Sequence, residues 1–182
     1  MPPLPSLLRF LGLGEGTPAR SEGDSATVRR IAERLERLEP DQARTLAAFA
    51  FVLARIANAD LRIDAAETDE MVRIVEALAE LPREQATLAV EIAKSQARLL
   101  GGTENYVVTR EFRRLASPEQ REQLLQCLYA VAAADGTISG PESGEIRAIA
   151  EELGFTRAEA NALRGAYRDK LSELRSRGPG AD

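Results

Sequence analysis

The stretch AAADGTISGPE, Ala132 to Glu142, decides the reading of this chain, because a looser copy of it, ANADLRIDAAE, stands at Ala57 to Glu67. Shifted by 75 residues, Leu53 to Leu78 falls on Leu128 to Leu153 with ten of 26 positions identical, among them Asp60/Asp135, Ile63/Ile138, Glu67/Glu142 and Ile74/Ile149. Chance in such a composition gives roughly two, so the repeat is structural. Each copy is an apolar helix that runs into an Asp and breaks. It places an Ile three residues later and restarts with a Glu seven residues after the Asp. The period is too long for a tetratricopeptide or ankyrin array, and only two copies occur. Two helix-loop-helix halves facing each other about an approximate twofold axis explain it more simply.

The helical pattern extends outward from the repeat in both directions. Ile31, Leu35 and Leu38 form one stripe before Pro40, and Leu46, Phe49, Ala50, Leu53, Ile56 and Ala57 form the next. Later stripes run through Met71, Ile74, Val75 and Leu78, through Leu88, Ile92 and Leu99, and through Leu124, Leu125, Leu128, Val131 and Ala132. Two more follow, at Ile146, Ile149, Ala150 and Leu153 and at Leu163, Ala166, Tyr167, Leu171 and Leu174. Spacings of three and four exclude strands. Gly101-Gly102 and Gly154 read as helix stops, Ser117-Pro118 as a start, and Thr156 to Glu159 as a capping box. The expectation is an all-α fold, a single bundle of about seven to eight helices with internal pseudo-twofold symmetry. The helical domain spans 25–175, between a short apolar segment with a polar linker (1–24) and a disordered tail (176–182).

Composition narrows the chemistry. The 182 residues carry 24 Lys and Arg against 29 Asp and Glu, a formal charge of −5, which argues against nucleic acid as a partner. There is no His, so a Ser-His-Asp triad, a Cys-His dyad and His-ligated zinc are all excluded. The single cysteine, Cys127, lies in an apolar run and reads as a core thiol in a reducing compartment. No apolar run approaches the ~20 residues that cross a bilayer, and no secretory signal is evident, so the expected location is cytoplasmic. Leu4, Leu7, Leu8, Phe10, Leu11 and Leu13 make the N-terminal segment a sticky peptide on a tether. It reads either as a tail docking on its own domain or as an interfacial helix giving peripheral membrane contact through 1–13, although it lacks the usual basic face. The Arg-rich runs at Arg29, Arg30, Arg34 and Arg37 and at Arg110, Arg113 and Arg114 read as solvated faces.

The repeated corner carries the only candidate site. Glu67 and Glu142 fit helix caps, with Ser139 and Asp64 as their partners, and that role alone would explain them. Asp60 and Asp135 resist it, because an acid at a helix C-terminus meets the negative end of the dipole. If the pseudo-symmetry brings the corners together, Asp60, Glu67, Asp135 and Glu142 converge with Asp64 nearby. Two carboxylates about 4–5 Å apart repel by roughly 3–4 kcal/mol at an effective dielectric near 20, so the cluster calls for a cation. Oxygen ligands without His or Cys select a hard ion, Ca2+ or Mg2+, and irregular loops suit Ca2+ better. A self-contained EF-hand is rejected, because its early ligand positions would fall on Val131 and Ala133. A di-iron bundle would need His. No nucleophile elbow or phosphate-cradling loop is present, so the chain reads as non-enzymatic.

With its doubled Asp-x-x-Ile-x-x-x-Glu corners and the stretch AAADGTISGPESGEIRAIAEELG, the chain resembles the TerB family of tellurite-resistance proteins over about Ser25 to Leu174. The resemblance implies a roughly seven-helix bundle with an acidic, divalent-metal-binding site, here at Asp60, Glu67, Asp135 and Glu142. It also implies a role in metal stress response, with protein partners in a membrane-associated complex. Leu61 departs from the Gly expected after the first Asp, where Gly136 follows the second. The alternative is a metal-free interaction scaffold or co-chaperone-like domain, although the chain carries no His-Pro-Asp motif.

Overall fold

The computed structural model describes residues 22–57, 65–97 and 105–171. These contain eight α-helices: α1 (Glu22–Glu36), α2 (Pro40–Ala57), α3 (Ala65–Leu78), α4 (Arg83–Ala97), α5 (Asn105–Leu115), α6 (Pro118–Ala132), α7 (Gly140–Leu153) and α8 (Arg157–Gly165). A 3-10 turn at Arg168–Lys170 follows. No strand forms among the described residues, only an isolated bridge between Ile138 and Leu171. None of their helices is long and apolar enough to cross a membrane.

Helix ends reproduce the sequence repeat. Ala57 and Ala132 close α2 and α6, Ala65 and Gly140 open α3 and α7, and Leu78 and Leu153 close them, each pair 75 residues apart. Core positions correspond in the same way. Leu53 and Leu128 are buried at equivalent points, as are Phe49 and Leu124, Met71 and Ile146, and Val75 and Ala150. The two units interlock, with α3 packed on α6 and α7 on α2.

α2 is the axle of the bundle. Ala43 and every residue from Leu46 to Ala54 are buried, so the helix is covered on all sides rather than along one stripe. Its many alanines let neighbouring helices approach, and α4, α5, α6 and α7 all pack against it. The edge contact of Phe49 with Phe112, centroids 6.1 Å apart, joins α2 to α5.

Caps fall where the sequence places them. Ser117, Ser139 and Thr156 each complete a capping box with the residue three places on, and Gly154 closes α7 at φ 88°. Two boundaries differ from the expectation. α1 starts at Glu22, three residues before Ser25, where the helical pattern was read to begin. The last stripe is not one helix either. α8 stops at Gly165, a poor helix residue, and Tyr167 then turns to stack on Tyr129 with centroids 5.4 Å apart. Leu99, Gly101-Gly102 and Leu174 lie outside the described residues, as do the N-terminal segment before Glu22 and the tail after Leu171.

Candidate metal centre at the repeated corner

The second corner is fully described. Past the end of α6, the Gly136 amide donates to Ala133 O at 2.9 Å with φ 97°, a left-handed conformation that favours glycine. The exposed Asp135 accepts the Thr137 amide on Oδ1 at 3.0 Å, closing a tight turn of its own. That N–H partly offsets the unfavourable helix dipole, and a carboxylate still has a second oxygen for a ligand. Ile138 is fully buried, and its amide donates to Lys170 O at 2.8 Å, so the chain leaving α8 pins the middle of the loop.

Glu142 is a cap. Its Oε2 accepts the Ser139 amide at 2.8 Å, while Ser139 Oγ accepts the Glu142 amide at 3.3 Å. Beside it, Ser143 Oγ is buried without a hydrogen-bond partner among the described residues. Glu67 stands exposed in the first turn of α3, the equivalent point of the first unit. Next to Glu67, Thr68 Oγ1 accepts from Lys94 Nζ at 2.7 Å. Asp60 and Asp64 lie outside the described residues. Among the described residues no three Asp, Glu or Cys side chains gather as a metal-binding group, so a site here needs oxygens from 58–64. The donors at the second corner are all oxygen, which fits a hard cation and not a thiolate- or imidazole-seeking one.

Arg55, which the sequence reading passed over, ties the last turn of α2 to α7, the helix that begins at the second corner. Its Nε donates to Glu145 Oε1 at 2.8 Å, and Nη1 donates to Glu152 Oε2 at 2.5 Å and to Thr109 Oγ1 at 2.8 Å. Only 6% of the Arg55 side chain is exposed. Burial works against its charge, but the hydrogen bonds to Glu152 and Glu145 outweigh burial and hold its pKa above the ordinary value. The signal was present in the sequence as one cation in the otherwise apolar run LAAFAFVLARIA. Ala57 follows Arg55 by two residues, and Glu142 precedes Glu145 by one helical turn. The chain therefore enters the first corner from a helix end that is bonded to α7.

The sequence model of a family described as tellurite resistance protein TerB matches residues 45–165, from within α2 to the last residue of α8, which takes in both units of the repeat. No curated protein and no solved structure matches the chain. The family match spans about two thirds of the sequence and covers both corners, and the chain belongs to the TerB family of tellurite-resistance proteins.

Proposed function

We propose that this chain is a non-enzymatic module that binds one divalent cation, Ca2+ in preference to Mg2+, between its two corners. The ion fixes the two halves relative to each other for a protein partner in metal stress response. The observation that carries the reading is the identical placement of helix ends around both corners. In the sequence, the same 75-residue offset pairs Asp60 with Asp135 and Glu67 with Glu142. The link from Arg55 to α7 and the oxygen-only donors of the second corner support it. In this reading Asp60, Asp64 and Asp135 supply the carboxylates. Glu67 and Glu142 add an oxygen each while one oxygen of Glu142 keeps its cap.

Elemental analysis after dialysis against Ca2+ tests this. One ion per chain is expected, falling below half when Asp60 and Asp135 are both changed to Asn. Protein that leaves dialysis without calcium would support the metal-free scaffold instead.

A further inference from the structure

At the end of the bundle away from the acidic corners lies a groove of about 340 Å3. It is bounded by the first half of α2, the turn after α3, the start of α4, the end of α5 and the start of α6. Leu46, Phe49 and Phe112 form its floor, and Leu81 and Leu115 its walls. Its rim is mostly amide, with glutamines contributed by α2, α4 and α6. An apolar floor under a polar rim is the pattern of a site for a peptide's apolar side chains.

We propose that the groove is the docking site of this chain's own N-terminal segment. Leu4, Leu7, Leu8 and Leu11 stand at i, i+3, i+4 and i+7, the spacing of one helix face, while Ser6 and Arg9 fall on the opposite side. Seated in the groove, the leucines meet Leu81, Leu115 and the phenylalanines, and the one charge stays in water.

The tether reaches. α1 ends at Glu36, a few residues before α2 opens at Pro40 beside the groove. Arg34 fastens that end of α1 to α4, at its start through Glu84 O at 3.0 Å and at its middle through Glu91 at 2.8 Å. The far end of α1, where the segment joins, is therefore about 21 Å away along the helix. Residues 14–21 extend to about 26 Å, enough to return the segment along α1. A linker of that length also keeps the local concentration of the segment in the millimolar range, so a modest apolar area is enough.

The chain has no Trp, so Leu8→Trp, on the leucine face that enters the groove, places a single reporter on the segment of the intact protein. The expected result is a blue-shifted emission, protected from acrylamide and independent of protein concentration. It should be lost when Leu7 and Leu11 are both changed to Asp, which leaves the folded domain untouched. It should also be lost in Ala79→Arg, which fills the groove mouth from the α3–α4 turn, with circular dichroism confirming the helices. Solvent-like emission in the parent reporter overturns the proposal, as does a blue shift that survives Ala79→Arg. A shift that grows with concentration alongside a dimer in sedimentation would mean the segment seats on a second copy. A shift seen only with phosphatidylglycerol vesicles would mean a membrane anchor. Either overturns docking within the chain.

Discussion

Gly154 shows how single positions hold this fold. It closes α7 at φ 88°, and a Cβ built there would stand 2.6 Å from Arg113 Cζ. Arg113 lies over the end of α7, where a cation meets the negative end of the dipole, and Arg121 Nη1 donates to Leu153 O at 3.1 Å in the same place. We expect Gly154→Ala to cost about 1–2 kcal/mol, because an L residue is strained at positive φ and the guanidinium must also move. Gly144, mid-helix in α7 with open space where its Cβ would be, supplies the opposite sign. Gly144→Ala should add roughly 0.5–1 kcal/mol. Urea titration of both variants checks the pair, and equal effects would show that conformation is not what selects glycine at 154.

Arg55 is the second decisive residue. Glu152 keeps 15% of its side chain exposed, so removing Arg55 strands a carboxylate that is mostly out of water. Arg55→Met is expected to lower stability by about 3–5 kcal/mol, and pairing it with Glu152→Gln should recover part of the loss. Strict additivity in that double-mutant cycle would mean the two side chains are not coupled. Cys127 is the quiet counterpart. Burial pushes its thiol up to about 12, so it stays protonated and packs as a small apolar residue.

At the scale of elements, the helix starts were legible because their signals are local. Ser139, Pro141 and Glu142 announce α7 within four residues, and Thr156 to Glu159 does the same for α8. One of these caps titrates. The Thr156 hydroxyl and backbone amide bond Glu159 and hold its carboxyl below the usual range. A carboxylate depressed in the folded state contributes stability that is complete above its unfolded pKa, about 4.3, and that fades as pH falls through the lower folded value. The stability difference between the parent and Thr156→Ala should therefore be constant from neutral pH to about pH 5 and shrink below about pH 4. A difference unchanged down to acid unfolding would remove the cap's ionic character.

The break in the last stripe was less legible. Leu163, Ala166, Tyr167 and Leu171 keep helical spacing, yet the chain leaves the helix at Gly165. The reward lies far away in sequence, in Tyr129 for Tyr167 and in Ile138 for Leu171. Periodicity reports which residues are buried and not whether one straight helix buries them.

For the whole molecule, duplication was the readable fact, because identities at one fixed offset do not depend on knowing any contact. The burial of α2 on all sides and the partners of Arg55 and Arg34 come from helices that meet only in the folded chain. Spacing within α1 or α2 could not reveal them, and Arg34, read as part of a solvated face, is half-buried against Glu91. At the corner, the cap role of Glu142 was legible from Ser139 three residues earlier. The turn that Asp135 closes on the Thr137 amide was not anticipated, because spacing alone does not show which amide a carboxylate will accept.

The central claim is that an ion held by both units fixes them together. Thermal unfolding of the full chain with Ca2+ and with chelator tests it most directly. Ca2+ at about 100 times Kd should add about 2.7 kcal/mol and raise the melting temperature. Asp135→Asn combined with Glu142→Gln should abolish the gain, since the amides can keep the turn and the cap while removing the charge. Melting curves that coincide in Ca2+ and in chelator would contradict the account.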